Sequence, residues 1–253
     1  MKELKIFISV IESEFPKDRL TWQKGVATFH PETTDEAARL FKLANLHKQK
    51  LYVTGFGNNI VPVGERFEKL IAVKSDRLNH LYKIVSGDLY IEVGAGYPIR
   101  EINLHLEKEG LFLPHGELPY VGSVGGALAT GLSMTRNDDP HPVPLSRFFL
   151  KGAIATPDGE TITPGSTCFK SVSGFDIVKI FSPSWGLLGM IATAFLRVLP
   201  VSAKEEWRNL VQQEIDYESF SGQYKNPEGN QSAVYSIKIK NKFDPNEILP
   251  LID

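Results

Sequence analysis

Val121-Gly122-Ser123-Val124-Gly125-Gly126-Ala127-Leu128-Ala129-Thr130-Gly131 packs four glycines, two alanines and two hydroxyl residues into eleven positions. Such a run makes a poor apolar core. With few side chains in the way, its backbone N–H groups can meet a ligand directly. A helix opening at Gly125 would offer free N–H groups and a favourable dipole to an anion. A tight turn followed by a small-residue packing helix accounts for the same residues equally well. The flanking sequence has to decide between the two.

The whole chain of 253 residues can build a sizeable core, as one large domain or two small ones. Hydrophobic residues make up 42% and charged residues 23%, an ordinary soluble composition. A net charge of −2 gives no bulk field for nucleic acid or an anionic membrane. The single cysteine, Cys168, leaves no internal disulfide and fits a reducing compartment, so a cytoplasmic location is expected. The apolar run Ile6–Ile11 is too short to span a membrane and leads into Glu12 and Glu14. It reads as an edge strand or a short docking helix.

Upstream of the centre the pattern is layered. Trp22–Phe29 reads as a strand. Thr33 and Glu36 have capping-box spacing, and Ala37, Leu40, Phe41 and Ala44 then mark one apolar helix face. Leu51–Val53 is a short buried strand, which completes a strand–helix–strand unit. It runs into Thr54-Gly55-Phe56-Gly57-Asn58-Asn59, where two glycines and two asparagines can turn successive N–H groups into one anion-binding concavity. A plain loop remains an alternative. The dinucleotide pattern G-x-G-x-x-G fails here at Ile60 and again after Gly94 and Gly96, at Ile99. Lys69–Val73 reads as a strand, and Tyr82–Val85 with Leu89–Val93 as a hairpin about Ser86-Gly87-Asp88. A helix with Ile99, Ile102 and Leu106 on its buried face runs from Pro98 to Gly110. His105 reads as an ordinary residue of that helix.

Downstream, Asp138-Asp139-Pro140-His141-Pro142 has the residue types of a metal site but the prolines of a solvated loop, which is the expectation. Phe148–Thr156 and Glu160–Thr163 read as strands about Pro157-Asp158-Gly159, and Ala192–Leu199 as a strand closed by Pro200. Beyond Val201, residues Glu205–Arg208 suggest a short amphipathic segment, Ser219–Gln231 a loop and Val234–Ile239 a strand.

Read in order, three stretches resemble one family. They are Phe169-Lys170-Ser171-Val172-Ser173-Gly174-Phe175-Asp176, Ser184-Trp185-Gly186-Leu187-Leu188-Gly189-Met190-Ile191, and Leu196-Arg197-Val198-Leu199-Pro200. The family is the FAD-linked oxidases with the vanillyl-alcohol-oxidase (PCMH) type of flavin domain, and the likeness is greatest to its glycolate-oxidase branch. Lys242-Phe243-Asp244-Pro245 and Ile248 are similar to that branch's closing motif. The resemblance covers roughly residues 20–200 plus this tail.

The resemblance implies an α+β fold: a two-lobed PCMH-type FAD-binding domain over residues 1–200, with lobes of about 17–75 and 76–200. A short segment, 201–253, returns to the flavin domain in place of a much larger cap. Non-covalent FAD is implied, because no motif for a histidyl-linked flavin is evident. Gly55, Phe56, Gly57, Asn58 and Asn59 would cradle the pyrophosphate. Gly122, Ser123, Gly125 and Gly126, with Thr130 and Ser133, would flank the pyrophosphate and isoalloxazine. Gly186, Gly189 and Ile191 would hold the ribose and adenine end. No metal is implied in this chain.

The implied function is that of the FAD-binding subunit of a glycolate-oxidase-like 2-hydroxy-acid dehydrogenase. A small 2-hydroxy acid would be the substrate. A second flavoprotein subunit and an iron–sulfur subunit would be partners, and through them the chain would reach the periphery of the inner membrane. Lys170, Arg147 and Asp176 lie near the motifs but read as salt-bridging or surface residues, so no catalytic residue is assigned. Thr54 stands where the family often has arginine, Pro183 where it has glycine, Leu187 where it has threonine and Phe148 where it has aspartate. These departures leave open a flavin-fold assembly subunit without redox function, while the likeness of Val124–Gly131 to the family's sugar-lactone branch leaves open a small self-sufficient alcohol or sugar-lactone oxidase.

Overall fold

Helix α2 lies between two β-sheets, and the site is built where loops from both sheets meet. The computed structural model describes residues 2–136, 139–167, 177–225 and 230–252. Helix α1 (Lys2–Glu14) comes first, followed by strands β1 (Leu20–Gln23) and β2 (Val26–Phe29). Helix α2 (Thr34–His47) then leads to β3 (Leu51–Thr54) and β4 (Ile71–Lys74). These four strands form one sheet in the order β1-β2-β4-β3, with β2 and β3 both parallel to β4.

Helix α2 forms for the reasons its sequence suggests. The Thr33 hydroxyl caps it by accepting the Glu36 N–H, and Ala37, Leu40, Phe41 and Ala44 are buried. Only half of the expected capping box exists. The Glu36 carboxylate turns instead to the Glu32 N–H and to Arg19, which also binds Asp18 and Glu32. That network ties the β1 edge to the helix. The chain's start is the docking helix rather than the edge strand: Phe7 and Ile11 pack into the α2 core. The expected single strand Trp22–Phe29 is a hairpin. Lys24 and Gly25 both take positive φ, at 50° and 84°, in a two-residue turn that matches strand twist.

The second sheet begins with β5 (Leu81–Val85) and β6 (Tyr90–Gly94), joined by the turn Ser86–Asp88 as expected. Helix α3 (Ile102–Leu106) follows, extended at both ends by single 3-10 turns, with Ile99, Ile102 and Leu106 fully buried. Then come β7 (Leu111–Phe112), helix α4 (Val124–Thr130), β8 (Ser133–Arg136), β9 (Asp139–Pro144), β10 (Phe149–Ala155), β11 (Thr161–Ile162), β12 (Met190–Arg197) and β13 (Leu199–Pro200). The main sheet is antiparallel, in the order β11-β10-β12-β6-β5. One face carries α3 and α4. The other supplies Ala155, Met190 and Ala192 to the α2 core.

Three further expectations change. Asp139–Pro144 is an edge strand rather than a loop, and its prolines are tolerated because β9 pairs on one side only, with β8. His141 there pairs with Asp139. After β14 (Val211–Gln212), helix α5 (Tyr217–Lys225) occupies most of the expected loop. Helix α6 (Gln231–Phe243) replaces the expected strand Val234–Ile239. The closing segment then returns to the first sheet, where Leu51 N–H donates to the Ile248 carbonyl at 2.7 Å. Cys168, the run Phe169–Asp176 and Asp138 lie outside the described residues. No helix among the described residues is long and apolar enough to cross a membrane.

Candidate functional site

Strand β3 ends at Thr54, beside the end of its parallel neighbour β4 at Lys74. The first loop, Gly55–Asn59, leaves from this edge. Among the described residues, no hydrogen bond engages the backbone N–H groups of Gly55 to Asn59. Gly57 takes φ 80°, a conformation that suits glycine. The loop is fastened from its side: Asn58 Nδ2 donates to the Val121 carbonyl. Gly55 presses on the cap of α4, where an added Cβ would stand 2.7 Å from Ser123 Oγ and 3.3 Å from Gly126 Cα.

The glycine-rich centre forms α4, but its N-terminus is not the open anion site anticipated from Gly125. Val124 N–H donates to the Tyr97 carbonyl at 2.9 Å and Gly125 N–H to Ala95 at 2.7 Å. Gly126 N–H is capped by Ser123 Oγ at 3.1 Å, and Ala127 N–H reaches the Ser123 carbonyl. All four leading donors therefore have protein partners. The small residues matter for close approach instead: a Cβ on Gly125 would stand 2.7 Å from that of Ala95. Thr130 Oγ1 donates back to Gly126 at 2.8 Å. Nearby, burial pushes the Tyr120 phenol up, against opposing hydrogen bonds with Thr130 and Asn59.

The third loop packs on the same helix. Ser184 and Trp185 both donate their N–H groups to the Ala129 carbonyl, at 3.0 and 2.8 Å. Gly186, at φ 79°, backs onto Val53, with room for no Cβ.

These loops line two adjoining clefts, both open to solvent. The first is walled by Gly55–Ile60, Gly122, Gly126, Thr130, Tyr120 and Trp185. The second is walled by Gly125, Gly126, Ser184, Gly186, Gly189, Ile191 and Ser75. Thr54, Gly55, Gly126 and Ala129 line both. The structure thus brings together Gly55, Phe56, Gly57, Asn58, Asn59, Gly122, Gly125, Gly126, Thr130, Gly186, Gly189 and Ile191. Two expected residues line neither cleft. Ser123 is fully buried as the helix cap. Ser133 lies in β8 opposite Pro144, and its carbonyl accepts the Gln213 N–H.

Sequence reasoning missed Ser75, Tyr120 and Trp185. Ser75 is 4% exposed, and its Oγ has no hydrogen-bond partner among the described residues. The signal was available in the parallel pairing. Ser75 follows β4 as Gly55 follows β3, so both stand at carboxyl ends of parallel strands, where open α/β sheets bind ligands. Its neighbour Asp76 is fixed by the His30 ring at 2.7 Å.

Similarity to known proteins follows the same region. A family model described as an FAD binding domain matches residues 26–164, more than half of the chain. D-lactate dehydrogenase from Anaerostipes hadrus is 23% identical over 66% of this chain and 35% of its own length. Glycolate oxidase subunit GlcD from Bacillus subtilis (strain 168) is 23% identical over 69% of this chain and 37% of its own. Glycolate oxidase subunit GlcE from Escherichia coli (strain K12) is 32% identical over 45% of this chain and 32% of its own. The matched stretches thus span about a third of each relative. Among solved structures, an alkyldihydroxyacetonephosphate synthase superposes with a TM-score of 0.61 at 20% identity, covering 78% of this chain and 41% of that one. That likeness concerns the fold.

Proposed function

The chain belongs to the FAD binding domain family, and from that premise we propose that it is an FAD-dependent oxidoreductase subunit that binds the dinucleotide without a covalent link in the joined clefts. The observation that carries the reading is the run of unengaged N–H groups from Gly55 to Asn59, held against the small-residue flank of α4. Such a run suits a pyrophosphate, since several backbone dipoles converge on one anion. The buried, unpartnered Ser75 hydroxyl suits a ribose or phosphate oxygen. Gly126 and Gly186 line the clefts with bare backbone, to which a flat ring could come close.

In this reading Gly55, Phe56, Gly57, Asn58 and Asn59 hold the pyrophosphate. Gly122, Gly125, Gly126 and Thr130 flank it and the isoalloxazine, and Gly186, Gly189 and Ile191 hold the ribose and adenine end. Ser123 acts beneath them by fixing α4. Bound FAD supplies an acceptor for a hydride from a hydroxyl-bearing carbon. The protein's part is to hold that ring in one orientation and keep water from its inner face.

The architecture proposed with this function has two lobes, residues about 17–75 around the first sheet and 76–200 around the second. Residues 201–253 return to the flavin domain, a reading supported by the Ile248–Leu51 hydrogen bond. The substrate proposed is a small 2-hydroxy acid such as glycolate or lactate. The names of the relatives support it, and two of them are subunits of one glycolate oxidase type. A second flavoprotein subunit and an iron–sulfur subunit complete the proposed assembly and carry it to the inner-membrane periphery. Flavin absorbance retained through desalting tests the cofactor part. Flavin bleaching by glycolate or lactate in the reconstituted complex tests the rest, and an unbleached spectrum would count against it.

A further inference from the structure

Trp185 is a bulky residue at φ 48°, in the left-handed region that such side chains rarely adopt. The conformation is held by the paired N–H donations of Ser184 and Trp185 to Ala129. It places the half-buried indole on the wall of the first cleft, with Gly126 and Ala129 among the other lining residues. Rings of α5 support the indole. Tyr217 meets it at a centroid distance of 4.9 Å and an interplanar angle of 62°, and Phe220 at 6.0 Å. Tyr217 is itself locked, because its hydroxyl donates to the Ile252 carbonyl at 2.8 Å and accepts the Ile252 N–H at 2.9 Å. A strained backbone and a clamped aromatic support are a costly way to fill space, but they hold an aromatic surface ready before a ligand arrives.

We propose that Trp185 is the ring-stacking wall of the cleft, presenting its indole to a planar heteroaromatic ring of the bound dinucleotide, with Tyr217 as the positioning residue behind it. The proposal rests on the cofactor reading above. It also gives the C-terminal segment a role in the site, since Tyr217 and Ile252 set the indole's position. Stacking is tolerant of ring identity, so either the adenine or the isoalloxazine satisfies it.

The test is calorimetric titration of the full chain and its Trp185→Leu and Trp185→Phe variants with FAD, ADP and FMN. Thermal melts of the unliganded proteins run alongside. Trp185→Leu should weaken FAD about tenfold or more, while Trp185→Phe, which keeps a ring, should retain most of the affinity. The half-molecule that loses affinity in parallel identifies the stacked ring. Wild-type FAD affinity in a folded Trp185→Leu variant overturns the stacking alone. Equal losses in the Leu and Phe variants also overturn it, because they would indicate packing rather than a ring face. A wild-type chain that takes up no FAD overturns the cofactor reading itself, and the stacking with it.

Discussion

A Cβ on Gly55 would stand 2.7 Å from the Ser123 hydroxyl, so the first loop meets the cap of α4 with no space for a methyl group. That hydroxyl is already engaged by the Gly126 N–H and cannot swing away freely. Gly55→Ala should therefore destabilise the fold by about 1–3 kcal/mol through overpacking. Ser123→Ala should cost about 1 kcal/mol through loss of the cap. Because the second change removes the atom that the first one strikes, the double variant should lose less than the sum. Urea unfolding of the four proteins measures this, and simple additivity would refute the contact.

Removing the Ser75 hydroxyl should separate stability from binding. Its Oγ is buried without a partner, so Ser75→Ala should leave the unliganded protein as stable or slightly more so. FAD affinity should fall by about 1 kcal/mol, the usual worth of one hydrogen bond. A loss of stability with unchanged affinity would make Ser75 a packing residue only.

Asp244 anchors the closing segment. Its fully buried carboxylate accepts the Ile248 and Leu249 N–H groups at 2.9 and 2.8 Å and pairs with Lys240 at 2.5 Å. Asp244→Ala leaves those donors and a nearly buried ammonium unpaired, at an expected cost of about 3–5 kcal/mol. Adding Lys240→Leu should recover part of the loss. Chemical denaturation reports both effects, and a cost near zero for the single variant would contradict the anchor.

His115 sets an acid limit on stability. Burial lowers its pKa from 6.5 to about 4, against the opposing effect of its bond to the Val143 carbonyl. The folded state resists protonation more than the unfolded state does. The stability contributed by the neutral ring is therefore complete above about pH 6.5 and declines as pH falls toward 4. The decline amounts to about 3 kcal/mol, at 1.36 kcal/mol per pH unit. His115→Leu should flatten this part of the profile. If wild type and variant lose stability in parallel across that window, the histidine is not responsible.

Legibility varied with where the burial signal lay. Helix α2 and the β5–β6 hairpin could be read because their apolar spacing and turn residues agree with their surroundings. Helix α6 could not. Its inward stripe is Ala233, Ser236, Ile237, Lys240 and Phe243, which has helical spacing but contains a serine and a lysine. The conspicuous apolar residues Val234, Tyr235 and Ile239 face outward and imitate a strand. Helix α5 is rich in serine and glycine, and aromatic contacts from a distant loop hold it in place, which no local pattern reveals. At the site, the glycine runs fall in loops that line the two clefts. The unengaged N–H groups nevertheless lie in Gly55–Asn59, because the Tyr97 and Ala95 carbonyls accept the Val124 and Gly125 N–H groups of α4 and Ser123 takes those of Gly126 and Ala127. Ser75 and Trp185 carry no motif of their own. The pairing of β3 with β4 and the left-handed turn before Gly186 bring them to the clefts.

The most direct measurement is an absorbance spectrum of the purified chain, before and after incubation with FAD and desalting. The account predicts bands near ~375 and ~450 nm that survive desalting, as expected of a bound oxidised flavin. They should weaken in a Gly55→Val variant, whose side chain would crowd the first loop. A colourless chain that retains no added FAD would contradict the cofactor reading and favour a flavin-fold subunit whose role is assembly.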